Sequence, residues 1–432
     1  MIPKVENIAS IHPLAKPITA SVQVPGSKSF TNRALVIAVL ADGVTTLHGT
    51  SDSNDSSVMI ELLRQLGVEI VAEEDVIYVK GIAGNFRTYK GTLDVEDAGT
   101  VMRFISAVCC LVPGEITLKG SERMHQRPIK ELVDALKQLG ANISYLENEG
   151  FPPIKIKGGT IKGGNVNVNS SISSQFISAL LMIAPLLQKD SEVNIAGEQV
   201  SEPYIDMTLS VMKQFGVGIA KNKGSYQIKT GGSYKSTNYT VEGDASSASY
   251  LFALAALTQS TIRVTNVSGK SLQSDARFVD ILERMGCKLN KTDSFIEVTG
   301  TGKLSSVNVN MQDMPDTAQT LAVIAAFAKG ETIITGLKTL QLKETKRINA
   351  LQSELSKMDV ECEAGADYIK IKGGEPKGAF INTYNDHRMA MAFAIAGTRV
   401  EGMMIEAPEV VKKSFPTFWT TLSAMGINID TE

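Results

Sequence analysis

Residues 132–143 read LVDALKQLGANI, an amphipathic helical pattern that ends in a bulky apolar residue and a glycine and leads into strand-like alternation. The glycine stands where a helix C-terminus needs a residue that tolerates the left-handed conformation. The pattern recurs five more times in the 432-residue chain. The other copies are ELLRQLGVEI (61–70), LSVMKQFGVGI (209–219), VDILERMGCKL (279–289), LQSELSKMDVEC (351–362) and WTTLSAMGINI (419–429). Only the copy at 351–362 lacks the glycine and carries Asp359 in its place.

A second helix is predicted before each copy, polar at its start and almost wholly apolar afterwards. Such helices must be buried on most faces. Their predicted starts are Lys28, Thr100, Ser173, Ser246, Asp316 and Asp386, at separations of 72, 73, 73, 70 and 70 residues. A repeat of this length exceeds the roughly 20 to 50 residues of common solenoids, which are the alternative architecture. The sequence therefore predicts an α/β protein of six βαβαββ-like units, three in each of two domains.

The composition is that of a globular protein, with 43% hydrophobic and 21% charged residues. A net charge of −3 gives no basic footprint for nucleic acid. The longest nearly apolar stretch, residues 177–187, is shorter than the roughly 18 residues of a membrane span, and residues 1–10 lack a signal-peptide core. The cysteines show no zinc-binding spacing. We therefore expect a cytoplasmic protein with neither nucleic-acid nor membrane partners.

Polar residues gather at the predicted starts of the buried helices. The motif Gly26-Ser27-Lys28-Ser29 lacks the first glycine of a Walker A loop, because Ser21 stands at that position. Taken alone, this motif is explained equally by an ordinary helix cap, and each of the other starts is explained better by one, including Asp244 with Ser246 and Ser247. Loops between the repeats add Arg127, the segment 343–347 and the segment 412–413, all rich in basic residues. Backbone N–H groups at helix starts and local basic residues together favour a pocket for anions.

Nine phrases, in order from residue 26 to residue 419, resemble the signature motifs of EPSP synthases, which are enolpyruvyl transferases. They are GSKSFTNRA, DAGTVMR, RMHQRPI, SSISSQF, EPYIDMT, MPDTAQT, LKETKR, YNDHRMAMAFA and KKSFPTFW. The resemblance implies a two-domain inside-out α/β barrel. It also implies a first lobe of residues 26–243 and a second lobe of residues 1–25 plus 244–432.

The resemblance implies transfer of the enolpyruvyl group of phosphoenolpyruvate to the 5-hydroxyl of shikimate 3-phosphate. The products are 5-enolpyruvylshikimate 3-phosphate and phosphate, in the shikimate pathway to chorismate and aromatic amino acids. Shikimate 3-phosphate would be bound by Lys28, Ser29, Arg33, Ser173, Ser174, Gln175, Ser201, Asp316 and Lys343. Phosphoenolpyruvate would be bound by Lys28, Gly99, Arg127, Gln175, Arg347, Arg388 and Lys413.

The catalytic residues implied by the same resemblance are Asp316 as the base, Glu344 as the acid, and Lys28 as a source of positive charge. No metal or other cofactor is expected, and we expect a monomer. Each carboxyl group has a simpler alternative role. Asp316 could cap its helix, and Glu344 could neutralise neighbouring basic residues.

Four positions depart from the family pattern. They are Asp97 for an expected Asn, Phe104 for Pro, Thr339 for Asn and Lys346 for Asp.

Two other functions are alternatives. The sister transferase that acts on UDP-N-acetylglucosamine should carry Lys-Asn where this chain has Lys28-Ser29, and a cysteine within residues 123–127. Neither is present. A non-catalytic anion-binding protein of the same fold is the other alternative, because fold alone does not establish function.

Overall fold

The structure is a computed structural model that describes residues 7–73, 76–159, 161–197 and 201–431. It divides into two compact units. The first unit is Gly26–Glu242, and the second unit is Met1–Pro25 together with Gly243–Glu432.

The described chain alternates helices and strands, which confirms the mixed α/β class. The α-helices are α1 (Lys28–Leu40), α2 (Asn54–Gln65), α3 (Gly99–Cys109), α4 (Lys130–Gln138), α5 (Ser174–Ile183), α6 (Pro203–Gln214), α7 (Ala245–Thr258), α8 (Phe278–Met285), α9 (Ala318–Ala325), α10 (Arg347–Lys357), α11 (His387–Gly397) and α12 (Phe418–Ala424). Short 3₁₀ helices lie at Met124–Gln126, Ala184–Leu186, Ser274–Arg277, Pro315–Thr317, Lys338–Leu342 and Pro408–Lys413.

The strands are short, from two to eight residues in length. They are β1 (Ile8–Ile11), β2 (Thr19–Val22), β3 (Ala41–His48), β4 (Glu69–Glu73), β5 (Val76–Ile82), β6 (Tyr89–Asp94), β7 (Gly114–Lys119), β8 (Asn142–Tyr145), β9 (Ile154–Gly158), β10 (Asn165–Asn169), β11 (Ser191–Ala196), β12 (Ala220–Asn222), β13 (Ser225–Ile228), β14 (Tyr234–Lys235), β15 (Asn238–Thr240), β16 (Thr261–Val264), β17 (Lys288–Lys291), β18 (Ile296–Thr299), β19 (Asn308–Asn310), β20 (Glu331–Thr335), β21 (Cys362–Ala364), β22 (Ile369–Lys372), β23 (Phe380–Ile381), β24 (Met403–Glu406) and β25 (Ile429–Thr431).

The apolar helices α1, α3, α5, α7, α9 and α11 begin within two residues of the predicted starts, which confirms those predictions. A 3₁₀ turn, Pro315–Thr317, precedes α9 and accounts for the largest of these offsets. In α1 every residue from Phe30 to Leu40 is buried. Strands such as β10 instead alternate exposed and buried positions, so that one face packs on the core.

The amphipathic helices α2, α4, α6, α8, α10 and α12 end as the repeated pattern predicts. One or two positions past each helix end, a residue has positive φ: Gly67, Gly140, Gly216, Gly286, Asp359 and Gly426. Asp359, which stands in place of the glycine, has φ 60°. Aspartate tolerates the left-handed region better than most residues.

Three sheets are described in each unit, and all share one pairing pattern. A parallel pair comes first in the strand order, and two antiparallel pairs follow. The sheets of the first unit run β14-β3-β5-β4 (with β15 also on β3), β6-β7-β9-β8 and β10-β11-β13-β12. The sheets of the second unit run β2-β16-β18-β17, β19-β20-β22-β21 and β23-β24-β1-β25. Through β1 and β2, the N-terminal segment pairs with strands of residues 243–431.

Glycine recurs at the end of one strand in four of these sheets. A Cβ built on Gly81 would lie 2.1 Å from the carbonyl oxygen of Ala41, at the C-terminal end of α1. Gly158 meets the Cys109 carbonyl at 2.2 Å, Gly300 the Ala255 carbonyl at 2.0 Å, and Gly373 the Ala325 carbonyl at 2.7 Å, in the same way. Because these glycines have no Cβ, the ends of four buried helices can pack directly against their sheets. This feature of the repeat was not predicted from the sequence.

Each unit has its own apolar core. In the first unit it is built around α1, α3 and α5, and in the second around α7, α9 and α11. Cys109, Cys110 and Cys287 are buried in these cores, whereas Cys362 is only half-buried. No helix within the described ranges combines the length and apolar character that crossing a membrane requires.

Candidate functional site

In the first unit, the starts of α1, α3 and α5 lie at the same end of the core. Arg33, on the second turn of α1, stacks over Phe104 on the second turn of α3, 5.3 Å from the ring centroid. The same guanidinium donates to Ser178 Oγ, 3.4 Å away on the second turn of α5. Equivalent turns of three helices therefore meet at one residue. The three helix N-termini, whose first N–H groups have no partner within their own helices, therefore lie near one another, as an anion site needs.

Arg33 donates hydrogen bonds to four other residues of the first unit. Besides Ser178, it donates to Thr208 Oγ1 at 2.7 Å, to the Ser29 carbonyl at 2.8 Å and to the Tyr204 carbonyl at 3.0 Å. These four bonds engage most of the five N–H groups of a guanidinium. The side chain is only 1% exposed, and burial lowers the pKa of Arg33 to about 10. These bonds leave few of the Arg33 N–H groups for a ligand carboxylate.

Gly99 and Arg127 meet at the start of α3, where a side chain at residue 99 would displace the guanidinium. A Cβ on Gly99 would lie 2.4 Å from Nη2 of Arg127. Arg127 also donates to the Asp97 carbonyl at 3.5 Å and is mostly buried. No side-chain cap bond forms at the N-cap of α3. The structure thus brings together two predicted phosphoenolpyruvate contacts. One is the helix N-terminus at Gly99, and the other is the guanidinium of Arg127.

The predicted serine cluster sits at the start of α5. Ser173 caps the helix by accepting from the Gln175 N–H at 3.2 Å, and Ser174 is the first helical residue. Gln175 Nε2 donates to Thr100 Oγ1 at 3.1 Å, which links this helix start to that of α3. Ser201, also predicted, is buried and has φ 54°.

Lys28 opens α1 and forms an ion pair that the sequence does not indicate. Its Nζ lies 3.0 Å from Oδ2 of Asp55, on the first turn of α2. Asp55 is 3% exposed. Ser29, the other predicted residue of this motif, is half-buried beside Lys28. In the sequence, Asp55 appears only as a carboxylate within the polar run 51–57. That run gives no indication that Asp55 pairs with Lys28.

In the second unit, Asp316 is held by three cations. Its carboxylate lies 2.9 Å from Arg388, 3.3 Å from Arg347 and 3.4 Å from Lys343. Burial alone raises the pKa of Asp316, but the attraction of Arg388, Lys343 and Arg347 outweighs it and holds the pKa well below its usual range. Asp316 is therefore an ionised carboxylate.

Asp316 does not act as a helix cap. Neither the 3₁₀ turn that contains it nor the following helix α9 has a side-chain cap bond. Its described contacts are with cations, so the simpler alternative role is not supported.

Arg347, the first residue of α10, joins three carboxylates in the core of the second unit. It donates to Asp386 at 2.7 Å, to Glu344 at 2.8 Å and to Asp316 at 3.3 Å. Its side chain is 1% exposed, and although burial alone lowers the pKa of Arg347, these carboxylates keep it above its usual value. Lys413 Nζ lies 3.9 Å from the second oxygen of Glu344. The two predicted proton-transfer groups, Asp316 and Glu344, thus share one guanidinium.

Sequence reasoning missed two residues that orient Arg388. Asp386 caps α11 and accepts from the Arg388 backbone N–H at 2.9 Å. The Tyr250 hydroxyl, on α7, lies 3.3 Å from Nη1 of Arg388. The sequence marks Asp386 only as a helix start, and Tyr250 stands unmarked inside an apolar run.

Each unit therefore presents basic side chains at the starts of its buried helices, and the second unit adds two carboxylates that a guanidinium bridges. Such a set can bind anions and move protons. In the ranges that the structure describes, no three His, Cys, Asp or Glu side chains group as a metal site.

One known protein family matches nearly the whole chain. A family model of EPSP synthase (3-phosphoshikimate 1-carboxyvinyltransferase) matches residues 14–422. The chain belongs to the EPSP synthase family. The resemblance found in the sequence motifs is confirmed.

Relatives in this family are similar over almost the whole chain. The 3-phosphoshikimate 1-carboxyvinyltransferase of Pseudoalteromonas atlantica is 44% identical over 414 residues, 94% of this chain and 96% of the relative. That of Sulfurovum sp. is also 44% identical over 414 residues, 94% of this chain and 97% of the relative. A solved EPSP synthase from Acinetobacter baumannii matches the structure with a TM-score of 0.84 at 25% identity, covering 99% of this chain and 100% of that chain.

The structure accounts for one departure from the EPSP synthase pattern. Phe104 is fully buried and supplies the ring on which Arg33 stacks. Asp97 accepts a hydrogen bond from Ser121, next to the loop that carries Arg127. Thr339 is buried in the 3₁₀ helix Lys338–Leu342, and Lys346 is the N-cap residue of α10. Nothing in the structure explains why Thr and Lys stand at these last two positions.

Proposed function

We propose that this protein transfers the enolpyruvyl group of phosphoenolpyruvate to the 5-hydroxyl of shikimate 3-phosphate. The products are 5-enolpyruvylshikimate 3-phosphate and phosphate, as expected of a 3-phosphoshikimate 1-carboxyvinyltransferase in the shikimate pathway. The observation that carries the proposal is the partly buried Asp316 carboxylate among three cations, in a chain of the EPSP synthase family.

Phosphate and carboxylate groups of the substrates suit the basic residues of both units. We propose that shikimate 3-phosphate contacts Lys28, Ser29, Arg33, Ser173, Ser174, Gln175, Ser201, Asp316 and Lys343. For phosphoenolpyruvate we propose Lys28, Gly99, Arg127, Gln175, Arg347, Arg388 and Lys413. Planar guanidinium groups favour these ligands because their donors match two oxygens at once.

Asp316 is proposed as the base that takes the 5-hydroxyl proton. A base must be ionised before it acts, and the depressed pKa of Asp316 meets that condition, with the cations outweighing the effect of burial. As the hydroxyl oxygen attacks C2 of the enolpyruvyl group, a C–O bond forms and the proton passes to a carboxylate oxygen.

Glu344 is proposed as the acid that protonates the methylene carbon, so that positive character develops at C2. Its carboxylate now contacts Arg347 and Lys413, at 2.8 and 3.9 Å. We propose that the phosphate of phosphoenolpyruvate competes for these cations and so lets Glu344 take up its proton. In the second step, phosphate leaves C2 as a proton leaves the methyl carbon, and both carboxyl groups act in reverse.

The finer architecture is also proposed. Six sheets with one pairing pattern support six copies of a single unit, three in each compact unit, in the family's inside-out barrel. The compact units would then be the two lobes. We further propose a cytoplasmic monomer that needs no cofactor, and the four free cysteines suit a reducing compartment.

The experiment is an assay of phosphate release from phosphoenolpyruvate, with shikimate 3-phosphate or UDP-N-acetylglucosamine as the acceptor. We expect release only with shikimate 3-phosphate. Phosphate release only with the nucleotide sugar would instead show that the protein has the activity of the sister transferase. Binding of phosphoenolpyruvate without turnover on either acceptor would support the non-catalytic alternative.

A further inference from the structure

The segment that leads into α11 is conformationally strained. Between β23 and the cap residue Asp386, Tyr384 and Asn385 take positive φ values of 54° and 55° in succession. Asparagine tolerates this region, but a bulky residue such as tyrosine rarely adopts it. Strain of this kind persists only where the surroundings hold it, and it concentrates at functional sites.

A buried carboxylate on α10 holds this segment. Glu354 is 0% exposed, and its Oε1 accepts from the Tyr384 hydroxyl at 2.6 Å. Its Oε2 accepts from the backbone N–H of Asn382 at 3.0 Å and from Nζ of Lys357 at 2.6 Å. Lys357 donates in turn to Oδ1 of Asn382 at 2.6 Å. One carboxylate therefore fixes the chain on both sides of Thr383.

The same helix contacts the segment a second time. Arg347, seven residues before Glu354, donates to Asp386 at 2.7 Å. Seven residues make about two helical turns, so both side chains leave α10 on nearly the same face, about 10 Å apart along the axis. Helix α10 therefore contacts both ends of the segment 382–386, and the two strained residues lie within that segment.

We propose that Glu354 and Tyr384 are positioning residues for the cations of the second unit. This inference rests on the function proposed above. The bond between them keeps residues 384–385 in the left-handed conformation, so that Asp386 meets Arg347 and starts α11 in the correct place. Asp386 accepts from the Arg388 N–H at 2.9 Å, and Arg388 reaches Asp316 at 2.9 Å. Within the described residues, the hydrogen bonds of Glu354 and Tyr384 go to none of the predicted substrate contacts.

The test is Tyr384→Phe in the full-length enzyme, which removes one hydroxyl and keeps the ring. The matched control is Tyr368→Phe, because the Tyr368 hydroxyl also donates to a glutamate, Glu363, at 2.6 Å in the same unit. We expect Tyr384→Phe to raise KM for phosphoenolpyruvate about tenfold, by misplacing two of its proposed cations. KM for shikimate 3-phosphate should change less than about twofold, and the control should match the parent.

A second measurement does not depend on activity. Amide hydrogen exchange of residues 382–388 should be faster in Tyr384→Phe than in the parent, and unchanged in Tyr368→Phe. A raised KM together with faster exchange supports the proposal. It is overturned if either quantity is unchanged in Tyr384→Phe, or if the control shows the same changes. A parent enzyme without turnover would instead contradict the proposed function, and the exchange result would still report on the strained segment.

Discussion

The guanidinium of Arg33 lies between Phe104 and Thr208, 5.3 Å from the ring centroid and 2.7 Å from the hydroxyl oxygen. Both partners are fully buried. The residue that the motif marks as a substrate contact is therefore also a structural link between three helices of the first unit.

Arg33→Lys should destabilise the first unit, because an ammonium can neither form this fork of bonds nor stack as well on the ring. We expect a loss of about 2 kcal/mol, from hydrogen bonds to a charged group and the stacking contact. Thermal unfolding measures it. The control, Arg87→Lys, changes an exposed arginine of the same unit and should stay within about 0.5 kcal/mol of the parent. Equal stability of both variants would contradict a structural role for Arg33.

Gly99→Ala should weaken phosphoenolpyruvate binding, because its Cβ would stand 2.4 Å from Nη2 of Arg127 and push the guanidinium away. We expect KM for phosphoenolpyruvate to rise about tenfold while KM for shikimate 3-phosphate changes little. Gly218→Ala is the control, since that glycine has open space around its Cβ position and ordinary φ. Steady-state kinetics with each substrate varied separately decides the question. A normal KM in Gly99→Ala would show that this close approach is not needed for binding.

The repeat could be predicted from the sequence because helix periodicity and helix ends are local features. The start at Lys28 and the left-handed ends at Gly140 and Asp359 each depend on residues within a few positions. For the same reason, the polar helix starts could be identified as candidate site positions from the sequence alone.

Partners brought together by the fold could not be predicted. The Arg347–Asp386 pair spans 39 residues, and the Arg388–Tyr250 contact spans 138. No local pattern records such distances along the chain. The strained φ at Tyr384 was missed for a related reason, because tyrosine gives no local signal for the left-handed region.

Stability should fall in acid because of Asp316. A carboxyl group whose pKa is lowered by folding stabilises the protein above its usual pKa of 3.8, and this contribution is lost as pH falls below that value. We expect Asp316→Asn to lower the thermal midpoint at pH 7 and to weaken its dependence on pH between about 5 and 3. Asp293→Asn, which removes an exposed carboxyl paired with Lys270, should behave like the parent. An unchanged pH dependence in Asp316→Asn would contradict the ion-pair account.

Asp275 should have the opposite effect. Burial, followed by repulsion from Asp316, raises the pKa of Asp275 to about 7. A carboxyl group with a raised folded pKa destabilises the protein increasingly as pH rises from about 4 to about 7. We therefore expect Asp275→Asn to raise stability at pH 8 by on the order of 2 kcal/mol, and by much less at pH 4. Thermal unfolding at both values measures this, and a uniform loss at both would show that the bond to Ser246 matters more than the charge.

The assignment of proton transfers to Asp316 and Glu344 gives the most specific expectation. Asp316→Asn and Glu344→Gln keep shape and remove the titratable group. Loss of a general acid or base costs on the order of 100- to 10,000-fold in rate. We expect each variant to lose at least about 100-fold in kcat and to bind shikimate 3-phosphate within about tenfold of the parent. Because Asp316 contacts three cations, its variant should also be less stable, so turnover must be measured on protein shown to be folded.

Matched controls separate chemistry from charge balance. Asp293→Asn and Glu361→Gln each remove an exposed carboxylate paired with a lysine, at 2.9 and 2.8 Å, in the same unit. If neutralising basic neighbours were the whole role of Glu344, then Glu344→Gln would affect stability and substrate binding but leave kcat within a few-fold of the parent. A loss confined to kcat has no such explanation, because it reports an interaction needed in the transition state rather than in the bound complex. Retention of kcat in either variant would remove that carboxyl group from the mechanism.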